Sequence, residues 1–253
     1  MNRILCLLFI ASTFLFTSCN FTEEIYVNDD GSGKMSFKFD GSQMMTMMGD
    51  KLMENADGEK RESVDSLIVF KDIFEEKKDS ISKLSAKEQA DLKKLEDFSM
   101  HMLMNAETKK MKFTLMTDFK DISKVGDVMK SFQDASNMQQ GKSKSGSTPP
   151  NPLSSSSEAS EVSYTFKNNK FTRQAVVKNR ELLEKSLDSL EQMKTFLAGS
   201  SYTLKYHFPK RVKSVSDSTA LLSQDGKTMT VQFDFLQMMK DPESLNIEVE
   251  LVD

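Results

Sequence analysis

Alternating apolar and polar runs, each turned back on itself and then followed by a helical stretch, recur along this chain and restrict it to an α+β fold built from hairpins. Ile25 and Val27 lead into Asp29-Asp30-Gly31-Ser32-Gly33, residues that tolerate positive φ. The return run places Met35, Phe37 and Phe39 on one face and Ser36, Lys38 and Asp40 on the other. A short helix is expected over 42–54, carrying Met44, Met45, Met47, Met48, Leu52 and Met53. The same order returns at 99–138, at 161–198 and, with a very short helix, at 219–240. The expected architecture is an antiparallel sheet of hairpins with helices packed on its apolar face.

Other stretches fill in the order. Leu67 to Phe98 reads as helix in two pieces, the second restarting at Ser85-Ala86-Lys87-Glu88, which has capping-box spacing. Ile122, Val125, Met129 and Phe132 mark an amphipathic helix, as do Leu183, Leu187, Leu190, Met193 and Leu197, closed by Gly199. Residues 140–160 hold eight Ser and three of the five Pro, so they cannot bury enough apolar surface to order themselves. That linker separates an N-terminal half, 19–139, from a C-terminal half, 161–253, and the two halves are expected to share one sheet. Lys34 to Met45 and Thr228 to Met239 echo each other as strand, Asp and Gln-Met-Met at equal spacing.

The first nineteen residues are of a different kind. Arg3 precedes thirteen largely apolar residues, Ile4 to Phe16, too few for a permanent span but suited to a signal-peptide core, so 1–18 is expected to be a leader. Phe16-Thr17-Ser18-Cys19 resembles the lipobox of bacterial lipoproteins, with Phe16 where that pattern prefers Leu. The resemblance implies acylation of Cys19 and attachment of the body to the membrane by that residue. One acyl chain holds weakly and two or more hold stably. Asn20 rather than Asp follows, so the familiar inner-membrane retention signal is missing, and the outer membrane is the expected location. Glu23 and Glu24 read as an ordinary solvated start to the first strand.

Composition removes several functions. The net charge of −4, without a basic stripe, argues against nucleic acid as a partner. With Cys6 in the leader and Cys19 acylated, no thiol is left for a disulfide, so core packing must stabilise the body. Asn28-x-Asp30-x-Ser32 imitates half a calcium loop, but Phe39 stands where the bidentate Glu belongs, and a hairpin turn explains every residue. His101 and His207 are isolated, the latter on the polar face with Thr203 and Lys205, where a solvated ring is expected. No nucleophile elbow, zinc-helix or phosphate-loop motif occurs, so no catalytic residue and no cofactor are expected. The 18 methionines read chiefly as core filler. Met44, Met45, Met47 and Met48 are the candidate lining of an apolar, lipid-like ligand groove, and copper(I) binding by the Met clusters is the weaker alternative.

Glu24 to Lys34, soon after the acylated cysteine, is similar to the LppM-type bacterial lipoprotein domain. So is Tyr202 to Phe235, with Phe208-Pro209-Lys210-Arg211-Val212 and Ser223-Gln224-Asp225-Gly226-Lys227-Thr228. The resemblance covers two ends of the chain, about a third of it, and the helical stretch from Leu67 to Phe98 departs from it. It implies a compact α+β domain and transfers no functional residue. The function expected is that of a lipid-anchored, non-catalytic binding or structural module of the cell envelope, with the membrane and an envelope protein as partners.

Overall fold

The computed structural model describes residues 19–54, 62–126, 159–191 and 194–253. The leader, the part of the helix expected from Ile122 onward that lies beyond residue 126, and linker residues 140–158 lie outside the described residues; the described start of that helix is a 3₁₀ turn. The class is α+β, and the strands form two sheets rather than one.

The first hairpin joins β1 (Asn20–Val27) to β2 (Gly33–Asp40). Its turn is closed by Asn28 N–H to Ser32 O at 2.8 Å and Gly31 N–H to Asn28 O at 3.0 Å, with Gly31 at φ 80°. At Gly33 a Cβ would lie 1.9 Å from the Tyr26 carbonyl oxygen, so only glycine fits. The calcium-loop lookalike is spent within this turn, with Asn28 Nδ2 donating to Ser32 Oγ and Ser32 donating to Asp30. After α1 (Ser42–Leu52) come β3 (Val64–Val69), α2 (Phe70–Glu76), α3 (Lys78–Ile81) and α4 (Ala86–Lys93). The hairpin β4 (Phe98–Asn105) and β5 (Lys110–Phe119) follows, then a 3₁₀ turn at Ile122–Lys124.

Beyond the linker run β6 (Ser160–Lys167), β7 (Lys170–Val177), α5 (Arg180–Leu190), α6 (Lys194–Leu197) and β8 (Ser201–His207). The chain finishes with β9 (Val212–Val215), β10 (Leu221–Leu222), β11 (Thr228–Asp234), α7 (Phe235–Lys240) and β12 (Ile247–Leu251). Asn168 and Asn169 make the β6–β7 turn at φ 53° and 58°, the left-handed pair that a two-residue hairpin demands. Capping matches the residues: Ser85 and Glu88 exchange the reciprocal bonds of a capping box, and Asn179 and Asp234 cap α5 and α7.

The eight-stranded sheet has the order β10-β11-β8-β1-β2-β5-β4-β3, so strands from both sides of the linker enter it. Its interior holds a parallel pair, β1 with β8, starting at Asn20 opposite Ser201. Strands β6-β7-β12-β9 form the second sheet. Their inward residues Phe171, Ile247, Val249 and Leu251 join Phe21, Ile25, Leu204 and Tyr206 in one core. Phe171 meets Tyr206 at 5.0 Å and Phe208 at 5.5 Å between ring centroids. The layer opposite the centre of the apolar face is therefore a sheet. Helices contribute Met44 from α1 and Phe235, Met238 and Met239 from α7 to the same core. The expectation of one antiparallel sheet under helices changes accordingly, because a broad two-sheet interface buries more apolar area than short helices offer.

Residues 64–69, expected in part as helix, form the edge strand β3 beside β4. The echo of β2 in β11 has a structural counterpart, since Phe39 faces Phe21 and Phe233 faces Tyr202 on opposite flanks of the parallel pair. Met35 and Met229 are both buried on the inner face. A rotation exchanging the two hairpins would run along the strands and turn that face outward. The echo is one of patterning.

Candidate functional site

Cys19 sits immediately before β1, and its carbonyl is already bonded to the neighbouring strand. Ser201 N–H donates to its carbonyl at 3.2 Å, and Phe235 N–H donates to Ser200 O at 2.9 Å, tying the start of α7 to the same place. The residue is fully buried. Burial pushes its thiol up, the charge of Asp40 adds to that, and contacts with the Met44 backbone and Ser200 pull the other way.

Four and five residues further along, β1 presents two adjacent carboxylates to opposite sides of the sheet, and both are buried, contrary to the solvated reading. Glu23 shares the inner face with Phe21 and Ile25. It accepts from Tyr206 Oη at 2.5 Å, Tyr202 Oη at 2.9 Å and Arg173 Nε at 3.2 Å. Arg173 comes from β7 in the second sheet, and its Nη1 donates to Leu245 O at 3.2 Å. Burial would lower the arginine's pKa, but the Glu23 charge overrides it and raises it. Tyr206 is raised by burial and by Glu23. The two sheets are thus cross-linked by an ion pair with neutral hydroxyls around it.

Glu24 points outward, yet its side chain is only 5% exposed because Lys38, Lys205 and His207 close over it. Lys205 Nζ lies at 3.0 Å and His207 Nε2 at 2.9 Å, and Tyr26 stacks on His207 at 3.9 Å. The solvated position expected for His207 is therefore corrected: pairing of β8 with β1 brings it against a carboxylate. Burial would raise the pKa of Glu24, but hydrogen bonds from Lys38, His207 and Lys205 outweigh it and bring it to about 2. Since that lies below the ordinary 4.5, the contribution of Glu24 to stability is complete above pH 4.5 and is lost as the pH falls toward 2. Urea midpoints of wild type and Glu24→Gln are expected to differ at neutral pH and to converge across this window. A gap that persists unchanged to the acid end would show that the carboxylate charge is not what matters.

The four candidate groove methionines occupy separate environments. Met44 is in the main core and Met45 in a smaller cluster with Met53 and Met111, while Met47 is 55% exposed and Met48 is half-buried. His101 pairs with Asp65 at 2.7 Å on the outer face. Among the described residues no group of three or more His, Cys, Asp or Glu could hold a metal ion, and no helix is long and apolar enough to cross a membrane. Arg173, Tyr202 and Tyr206 were not singled out by sequence reasoning. A signal for the pair existed: Glu23 and Arg173 are opposite charges standing in the apolar phase of two strands, between Phe21 and Ile25 and between Phe171 and Ala175.

No family model and no curated protein matches the chain. Among solved structures it is similar to the NMR structure of the folded domain of LppM from Mycobacterium tuberculosis, with 6% identity, TM-score 0.38 and coverage of 95% of each chain. At that level of superposition, fold and function rest on this chain's own residues.

Proposed function

We propose that this protein is a lipid-anchored module of the bacterial cell envelope, held at the outer membrane by acyl chains on Cys19 and acting by binding rather than by catalysis. The observation that carries the reading is the position of Cys19. It closes a lipobox-like segment behind an apolar run, and the next residue opens the central strand of a folded body. The binding role is supported by how the two central carboxylates are used. Glu23 is occupied by Arg173 and two tyrosines, and Glu24 by two lysines and a histidine, so neither is poised for proton transfer. The separation of Met44, Met45, Met47 and Met48 favours this reading over a Met-lined carrier groove or a copper(I) site. The partner proposed is an envelope protein.

The test is metabolic labelling with palmitate and fractionation of Cys19→Ser. Label and membrane partitioning are both expected to vanish, because removing every acyl chain removes roughly 0.8 kcal/mol for each buried methylene. Unchanged label and partitioning would overturn the anchor.

A further inference from the structure

We propose that the end of the eight-stranded sheet bearing Cys19, α1 and α7 is a bilayer-contact surface, held flush against the lipid because nothing separates the acylated sulfur from the folded body. The proposal rests on acylation of Cys19 and goes beyond it by assigning which surface meets the membrane and which groups receive the linker.

The first argument is length. A flexible spacer of n residues allows an excursion of about 5–6 Å × √n. Here the spacer is absent: the Cys19 carbonyl already accepts from Ser201, and Asn20 pairs with both Ser201 and Asp40. The freedom left is that of one side chain. The second argument is register. Asn20, Ser201, Asp40 and Asp234 align across β1, β8, β2 and β11, so α1 and α7 both depart from the end that carries Cys19. The turn at residues 28–32 lies at the other end of β1, about 26 Å away for eight residues of strand.

The third argument is polar satisfaction. Among the described residues, the buried side-chain atoms left without a hydrogen-bond partner are Ser200 Oγ and Gln43 Oε1. Of the two, Ser200 borders Cys19: it lies against the thiol and is 1% exposed. An acylated cysteine brings a partner for it, ester carbonyls able to accept from the Ser200 hydroxyl. Buried polar atoms are paired as a rule, and an unpaired one needs a partner. Met47, one turn beyond Met44 and largely exposed, then supplies a deformable apolar side chain at the headgroup level.

The test uses the full acylated protein in vesicles of phosphatidylethanolamine and phosphatidylglycerol containing nitroxide-labelled headgroups. A bimane is placed at Met47→Cys or, independently, at the neighbouring exposed Thr46→Cys, and at Asp29→Cys in the far turn. Both α1 labels are expected to lose most of their fluorescence while the Asp29 position loses none. A Gly/Ser spacer inserted after Cys19 is expected to abolish the contrast without changing the acyl mass. Equal quenching at the two ends, with the acyl-glyceryl increment present in the intact mass, overturns the contact surface alone. Absence of that increment overturns the anchor reading together with it.

Discussion

Replacing Arg173 by Met is expected to destabilise the folded body by about 3–5 kcal/mol, the range measured when one partner of a buried ion pair is removed. The side chains of Arg173 and Glu23 are 5% and 3% exposed, so the carboxylate left behind has no access to water. Two tyrosine hydroxyls still donate to it, but they carry no charge. Against a typical total of about 5–15 kcal/mol, that loss is large enough to see as a shift in the urea midpoint at unchanged slope. Glu23→Leu alone is expected to be as damaging, because it strands the guanidinium and removes the acceptor of Tyr202 and Tyr206. Combining Glu23→Leu, Arg173→Met, Tyr202→Phe and Tyr206→Phe should recover the greater part of the loss, since the carboxylate is then replaced together with the groups that donate to it. An Arg173→Met variant within 1 kcal/mol of wild type would show that the sheets are joined by apolar packing and that the pair is incidental.

How much of this was legible beforehand depends on the range of each interaction. The hairpins were legible because their information is local: alternation at period two, Gly31 in one turn, Asn168 and Asn169 in another. So was the restart at Ser85, where cap and Glu88 lie three residues apart. The strand at Val64–Val69 was not. It runs straight into α2 at Phe70, so Leu67, Phe70, Ile73 and Phe74 fall at helical spacing and the two periods merge. The parallel pairing of β1 with β8 joins residues 181 positions apart at the Asn20–Ser201 contact, and no turn specifies it. The second sheet was hidden for a related reason. Ile247, Val249 and Leu251 announce one buried face but do not say which layer will cover it. For the site, the flanks of Cys19 single it out within the sequence, whereas the burial of Glu24 required three strands to be brought side by side.

Phe21→Ala is expected to cost about 3–5 kcal/mol, the usual range for deleting a fully buried phenylalanine. Phe21 is 1% exposed and stands two residues from Cys19. Its ring stacks on Phe235 at 4.2 Å with an interplanar angle of 15° and leans on Phe39 at 4.8 Å and Phe37 at 6.3 Å. The void therefore opens where β1, β2 and the first residue of α7 converge. Phe21→Leu keeps most of the volume and is expected to cost less than half as much. A double-mutant cycle with Phe235→Ala should return a coupling of about 0.5–1.5 kcal/mol, the value of a ring pair beyond its buried area. The consequence reaches past stability. With the Phe21–Phe235 stack removed, α7 is tied to the Cys19 end chiefly by the Phe235 N–H to Ser200 O bond and by Met238 and Met239. Amide exchange in α7 is then expected to rise before exchange in β8 does. Uniform acceleration across both elements would mean that the ring cluster stabilises the sheet as a whole and does not hold this helix in particular.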